Sequence, residues 1–510
     1  MIGSTTAVAL LGLTGKMVEI EADLAPGLPS FTIIGLPDTA LANARERVRL
    51  ATSNAGCPVP ARKITVNLSP AALPKFGPVF DLAIAVAVLA AARSISAESI
   101  ARVVHLGELG LDGRLRPTNG ILPAVAAAAS LGYTRFMVPT GNADEAALVP
   151  GITVIPVASV LDAAIYHGGR FQPEPVEPIM LPHESVGTVD EPDLADVVGN
   201  RDAAQALVVA AAGAHHLFML GPPGAGKTML AARLPGILPD LDALASLEVS
   251  SLRSLSGEAV GSRLVTRPPI ESPHHTATAA ALIGGGSKQI RPGAAARASH
   301  GVLFMDEAPE FNASVLDALR QPLESGVITI HRANAVASFP ASFQLVLAAN
   351  PCPCGQYGAK DSECSCTPHA RRRYLGRISG PLMDRIDIQL KVQRITAAEL
   401  RMADDGSRLS TAEARQLVVT ARARAAERLA DTPWVVNSQV PGSWLRAGPR
   451  RLAPSTTASL DRALERGGLT MRGYDRVLRL AWTVADLDGI DAPAAEHVGR
   501  ALFLRKALQS

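Results

Sequence analysis

The sequence predicts an α/β protein in three parts: a phosphate-binding core, an α+β domain before it and a helical domain after it. Three observations predict this. Gly221-Pro222-Pro223-Gly224-Ala225-Gly226-Lys227-Thr228 satisfies G-x-x-x-x-G-K-[ST] between an apolar run and a helix-forming run. Residues 1–170 alternate strand-like and helix-like stretches. The tail, residues 391–510, is dominated by helix formers broken by prolines.

In the first part, Val18 to Ala22 alternates apolar and polar residues, as a half-buried strand does. Phe31 to Gly35 and Lys63 to Leu68 are β-branched runs bounded by turn residues, whereas Ala40 to Ala51 and Asp81 to Ala92 have helical composition. Residues 171–193 carry Pro173, Pro175, Pro178, Pro182 and Pro192 among acidic residues, which reads as a semi-extended linker.

The core spans 194–390. Leu217 to Leu220 reads as a buried strand, and Met229 to Leu234 as the helix beyond the loop. Glycines at Gly221, Gly224 and Gly226 let successive N–H groups turn inward at a helix N-terminus, where anions are favoured. With Pro222, Pro223 and Ala225 they cradle phosphates, Lys227 reaches the β- and γ-phosphates, and Thr228 holds Mg²⁺. Gly301 to Glu307 is an apolar strand ending in two carboxylates about 80 residues downstream. It delivers Asp306 toward that Mg²⁺ and lets Glu307 orient a water. Phe343 to Asn350 is a further buried strand ending in a polar amide.

Cys352, Cys354, Cys364 and Cys366 put four thiols within 15 positions. Four soft ligands suit tetrahedral Zn²⁺, although two C-x-C pairs depart from the usual C-x₂-C spacing. The alternatives are structural zinc, with His369 as a spare ligand, and four reduced thiols in a loop. The fifth, Cys57, reads as a buried apolar residue. Arg371, Arg372, Arg373, Tyr374 and Arg377 form a basic patch, which fits either a phosphate backbone or a salt-bridging face.

Composition excludes some classes. With 510 residues, 47% hydrophobic and 19% charged, the chain can bury sizeable cores and is not globally disordered. A net charge of +2 is too small to name a partner. The apolar run Leu82 to Ala92 falls short of the roughly 20 residues a membrane helix needs. Met1 to Leu13 lacks a basic n-region, so no secretory signal is read. The expectation is a cytoplasmic protein with no membrane association.

A resemblance completes the picture. Gly35-Leu36-Pro37-Asp38, the stretch Pro74 to Ala85, and Gly107 to Gly113 resemble the N-terminal domain of the YifB/ComM family, the magnesium-chelatase-like branch of AAA+ ATPases. The similarity extends along nearly the whole chain. It implies an AAA+ P-loop core, an N-terminal domain of the ribosomal-S5/Lon-protease-like fold and a C-terminal helical lid. A Lon-type peptidase needs a serine activated by a lysine. The matching positions are Val79 and a site near Leu122, so no dyad exists, and Lys75 has no serine to activate.

The family pattern implies further roles. Asp196 to Gly199 lies near adenine, with Asn200 where the family usually has glutamine. Asn350 is sensor 1. Ser379 to Asp387 resembles SGPLLDRID, making Arg385 the arginine finger that acts on a neighbouring protomer. Leu469 to Arg479 resembles LSARGYHRVLR, placing Thr470 as a helix cap and Arg472 as sensor 2 over the γ-phosphate. Trp482 stands where an arginine is usual. Ser272 to Thr276, containing His274 and His275, together with Ile283 to Ser287, resembles the helix-2 insert, and the paired histidines read as a structural or substrate-facing loop. Gly326 to Arg332 and Ala335 to Phe339 are the pre-sensor-1 hairpin, with Arg332 at its turn as the DNA-gripping residue. The resemblance implies a homo-hexameric ATP- and Mg²⁺-dependent motor on branched or single-stranded DNA, engaged in branch migration. Two other readings remain open: an ATPase that remodels a protein partner, and a nucleotide-dependent scaffold.

Overall fold

The computed structural model describes residues 2–35, 41, 43–181, 191–286, 290–332, 335–358, 364–395 and 408–506. Its N-terminal part is a seven-stranded mixed sheet. The strand order is Ser30–Ile34, Lys63–Ser69, Thr14–Ala25, Gly3–Leu11, Val104–His105, Arg135–Pro139 and Thr153–Val157. Gly3–Leu11 and Thr14–Ala25 form an antiparallel hairpin with Gly3 opposite Ala22. The helix Asp81–Ala91 is apolar all round, and all of its residues are buried. It is the central core helix of this part, as expected for a helix with no polar face. Gly3 is required beneath it, because a Cβ there would meet the Ala87 carbonyl at 2.2 Å. No described helix is long and apolar enough to cross a membrane.

Lys75 is fully buried, and its Nζ donates to the carbonyls of Gly35 (2.9 Å), Leu68 (3.0 Å) and Pro70 (2.5 Å). The ammonium therefore clips two loops together, and all three of its protons have acceptors. Val79 and Leu122 stand in hydrogen-bonded backbone, accepting from Gly107 N–H and donating to Glu145 respectively.

The second part is a five-stranded sheet in the order Ile270–Glu271, Val302–Met305, Gln344–Ala349, Leu217–Leu220 and Ile388–Lys391. Among the described residues its strand pairings are all parallel. The three inner strands are near-continuous apolar runs, as sheets covered on both faces require. This fold class, a P-loop core with flanking α+β and helical parts, matches the sequence expectation. The helical part comprises Thr411–Arg428, Gly442–Ala447, Pro454–Glu465, Met471–Leu487 and Ala495–Lys506. Thr470 caps the fourth of these, accepting from Gly473 N–H at 3.1 Å.

Contacts with two segments of the core fasten the N-terminal part to it. Gly12, at the tip of the first hairpin, bridges to Ser338, and a Cβ on Gly12 would lie 2.4 Å from the Ser338 carbonyl. Glu145 is buried between the parts and accepts from Leu122 N–H (3.0 Å), Asn142 Nδ2 (3.1 Å) and the Ser254 hydroxyl. Ser254 belongs to the core helix Ala243–Ser256.

Candidate active site

The loop after Leu220 closes against its neighbours through glycine. A Cβ on Gly221 would meet the Val392 carbonyl at 2.2 Å, and Gly224 and Gly226 have φ of 76° and 90°. L side chains rarely adopt such angles, so these positions favour glycine. Nothing lies within 4 Å of the Gly224 Cβ position, so the loop faces open space there. The helix Lys227–Ile237 begins directly after Gly226, aiming its free N–H groups into the loop.

Lys227 is nearly buried, and its Nζ donates to the carbonyls of Gly221 (2.6 Å) and Pro222 (3.1 Å) and to Asn350 Oδ1 (3.1 Å). Burial lowers its pKa, and the nearby Asp306 and Glu307 oppose that shift. Thr228 Oγ1 donates to Asp306 Oδ2 at 2.7 Å. The register explains the convergence: Leu220 lies opposite Ala349 and Met305 opposite Leu347, so Asn350 and Asp306 both emerge beside the loop. A loop with open N–H groups, one lysine and a Thr–Asp pair fits magnesium-bound ATP. Asn200 braces the same loop, donating to the carbonyls of Ala225 (3.4 Å) and Gln393 (3.1 Å). Arg394 Nε donates to the Pro223 carbonyl at 3.0 Å, a contact that no motif signalled.

Glu307 is the residue immediately after Asp306 and adopts left-handed backbone at φ 50°. That conformation is uncommon for a non-glycine residue and is associated with functional turns. Its Oε2 lies 3.5 Å from His275 Nδ1. The histidine pair expected on a structural or substrate-facing loop therefore has one member beside this carboxylate. The pairing of the Ile270–Glu271 strand decides this, and the sequence carries no signal for it.

Arg385 and Arg472 lie elsewhere. Arg385 pairs with Glu324 and donates from Nη1 to the Pro381 carbonyl at 2.6 Å. Arg472 Nη1 is 3.7 Å from Asp384 Oδ2. Both line a cavity of about 940 Å³ that also touches His216, Gly301, Gln344 and Asp387. These residues mark the N-terminal ends of the strands, whereas the glycine loop follows a C-terminal end. Within one chain, Arg472, expected over a γ-phosphate, thus lies at the opposite end of the sheet from Lys227. The helix Met471–Leu487 is anchored across the far end of the sheet by Arg476, which donates to the buried Asp387 at 2.5 Å. Trp482 is buried in the helical part beneath the Arg428 guanidinium, 4.5 Å above its ring.

The four clustered cysteines do converge. The Sγ atoms of Cys352, Cys354, Cys364 and Cys366 all lie within 4.8 Å of one another. Cys352 and Cys354 are each 3.7 Å from Cys364, near the edge of about 3.8 Å that a tetrahedral ZnS₄ unit with 2.3 Å bonds requires. The set is compatible with zinc and does not include His369. Gly355 packs against Pro223, where a Cβ would come within 2.7 Å, so the cluster abuts the phosphate loop. Cys57 is fully buried, and burial pushes its thiol up to about 11. In the basic patch, Arg371 stacks 3.7 Å over Tyr357, and Arg377 pairs with Glu310 at 3.2 Å.

The two insertions meet. Val327–Arg332 pairs antiparallel with Ala335–Pro340, and residues 333–334 at its turn lie outside the described residues. Gly284–Gly285 pairs with Arg291–Pro292. A Cβ on Gly285 would be 3.4 Å from Arg332 Nη2, and one on Gly284 would be 3.0 Å from Ile330 Cδ1. Arg332 and Arg291 are exposed.

A parallel sheet in this strand order, with a phosphate loop, a Thr–Asp pair and an asparagine on the adjoining strand, defines a P-loop ATPase of the AAA+ class. Comparison with known proteins gives the branch. Residues 193–400 match the model "Magnesium chelatase, subunit ChlI", residues 20–142 match "Subunit ChlI of Mg-chelatase", and residues 408–505 match its C-terminal model. The chain is 39% identical to the competence protein ComM of Haemophilus influenzae, covering 98% of this chain and 96% of that one. It is 37% identical to the uncharacterized protein YifB of Escherichia coli over the same shares. An uncharacterized protein of Mycobacterium tuberculosis is 47% identical over 99% of both chains. The chain belongs to the YifB/ComM family of magnesium-chelatase-like AAA+ ATPases, which implies ATP and Mg²⁺ as its cofactors.

Proposed function

We propose that the chain is an ATP-hydrolysing ring motor that acts on DNA, moving branch points in recombination intermediates. The observation that carries this reading is the contact of the two insertions, with Arg332 set beside Gly285. An exposed arginine over a glycine hairpin suits a phosphate backbone, which needs charge and close approach but no base contacts. Similarity to a relative named as a competence protein supports DNA as the substrate.

When bound, magnesium-ATP supplies the transferable phosphoryl group and the divalent charge that offsets its oxygens. The loop N–H groups and Lys227 bind and orient the phosphates, and Lys227 exchanges its carbonyl partners for them. Thr228 and Asp306 would hold the metal, while Glu307 and Asn350 would position the attacking water. Arg385 and Arg472, at the far end of the sheet, serve a neighbouring protomer's nucleotide. That division makes a homo-hexamer the working assembly. The four clustered cysteines would hold zinc, which would stiffen the segment behind the loop.

The test is ATPase rate and strand exchange on a four-way junction. Binding is expected to be sequence-independent and to weaken steeply with salt. Arg332→Ala keeps basal hydrolysis, because the nucleotide pocket is intact, and loses DNA stimulation and junction movement by about tenfold. If wild-type protein neither moves the junction nor hydrolyses faster with any DNA, remodelling of a protein partner replaces this reading. Absence of any hydrolysis leaves the scaffold.

A further inference from the structure

Asp387 is 1% exposed, and its two carboxylate oxygens engage different parts of the molecule. Oδ2 accepts from His216 N–H at 3.1 Å, and the Asp387 N–H donates to the His216 carbonyl at 3.0 Å. These two bonds dock the turn onto the start of the strand Leu217–Leu220. His215 Nδ1 stands 3.5 Å from the same oxygen, and its Nε2 is 2.8 Å from Thr483 Oγ1 on the helix Met471–Leu487. Oδ1 accepts from Arg476 Nη1 of that helix at 2.5 Å. A buried carboxylate engaged on both oxygens has a fixed rotamer, and removing its cationic partner leaves an uncompensated charge.

The two arginines assigned to a neighbour's nucleotide are tied to the two ends of this pair. Arg385 lies two positions before Asp387 in the same turn. Arg472 lies four positions before Arg476, one helical turn along the same face. The turn and the helical part are fastened together on either side of Asp387 as well: Arg472 Nη1 is 3.7 Å from Asp384 Oδ2, and Arg505 donates to the Ile386 carbonyl. The guanidinium of Arg385 is held differently, by Glu324, whose side chain is 66% exposed. An exposed partner holds an arginine weakly, so a phosphate can replace Glu324 while the base of the side chain stays where the turn puts it. We infer that Asp387, through Arg476, is the positioning residue for Arg385 and Arg472, so that the two reach a neighbouring protomer's nucleotide as one rigid unit. This rests on the reading that they act across the protomer boundary. Because Asp387 belongs to the sheet and Arg476 to the helical part, delivery of both arginines depends on how the helical part is seated.

The experiment uses the full-length chain in mixed rings. Lys227→Ala protomers supply arginines, and Arg385→Ala protomers supply intact phosphate loops. Asp387→Asn added to the Lys227→Ala protomer lowers the recovered kcat about tenfold, with KM for ATP within about twofold of the parent mixture. The same change added to the Arg385→Ala protomer leaves recovery at the parent level, because that protomer's arginines are already idle. An equal fall in both placements overturns the inference, since a merely structural role would act in either. Arg476→Gln repeats the asymmetry if Asp387→Asn does not fold, and Arg476→Lys, which keeps the charge, retains most of the recovered rate. A second arm needs no ring. Amide exchange by mass spectrometry over residues 380–387 and 470–476 speeds up in both segments together in Asp387→Asn and in Arg476→Gln. Faster exchange in one segment alone, or in neither, overturns the inference. A parent mixture that stays silent in rings that form removes the trans reading, and the exchange arm then decides the joint by itself.

Discussion

Lys227 and Asn350, 123 positions apart, are joined by a hydrogen bond of 3.1 Å from Nζ to Oδ1. The bond spans two adjacent parallel strands and places the loop lysine against the amide beyond the next strand. In this arrangement the loop carbonyls and Asn350 satisfy a buried ammonium that would otherwise lack acceptors. Nucleotide must compete for those protons.

The first prediction separates binding from chemistry in this pocket. Lys227→Ala loses about two orders of magnitude in affinity for a non-hydrolysable ATP analogue, because the phosphates' main cationic partner is gone. Glu307→Gln binds the analogue like wild type and falls about a hundredfold in kcat, since only water orientation is lost. Titration calorimetry and a phosphate-release assay read the two quantities. Equal, near-wild-type turnover in both variants would falsify the site.

A second prediction follows from the shared face of Arg385 and Arg472. Arg385→Ala and Lys227→Ala proteins are each inactive alone, yet their mixture recovers part of the ATPase rate. In mixed rings, some interfaces join an intact loop to an intact arginine. Arg472→Ala complements Lys227→Ala in the same way. Mixed rings that form, as seen by native mass spectrometry, and stay inactive would place the arginines' action within their own protomer.

The cysteine cluster predicts metal. Elemental analysis is expected to find about one zinc per chain, and the double change Cys352→Ser with Cys364→Ser abolishes it. Because Gly355 packs on Pro223, the metal-free protein also melts lower and binds nucleotide more weakly. Metal-free wild-type protein of unchanged melting temperature would leave the thiols as ordinary loop residues.

Mild acid is expected to loosen the N-terminal part. Burial holds His105 well below its usual pKa, and burial with the Arg135 charge lowers His167 to about 4. The two rings share a 2.9 Å contact between Nε2 atoms, with Thr5 and Ser99 on their outer nitrogens. A histidine with depressed folded pKa contributes stability that is present above the unfolded value near 6.5. That stability is lost as pH falls toward the folded value. For His167 the loss between pH 7 and pH 5 is about 2 kcal/mol. Thermal melts across that range read it, and His167→Gln flattens the slope. An unchanged slope in that variant would assign the acid sensitivity to other groups.

How much of this was legible beforehand depends on how local each feature is. The glycine loop, Lys227, Thr228, Asp306 and Asn350 could be named from the sequence. A phosphate loop is a contiguous backbone conformation that only certain residues permit, and the acids and the amide end apolar runs that must be buried strands. The Thr470 cap and the hairpin strands were legible for the same reason. The pairing of His275 with Glu307 was not, because it follows from which strand occupies the sheet edge and in what register. The place of Arg472 was not legible either. A helix shows which face is apolar but not which surface it covers, and the Arg476–Asp387 pair settles that across 89 positions. Likewise, Gly12 alone says only that the chain turns. That the turn meets Ser338 is a non-local contact, formed where Glu145 and the helix Ala243–Ser256 also join the two parts. The sequence by itself determined the chemistry that short segments can hold. Tertiary structure, through non-local burial and strand register, decided which of those segments face one another.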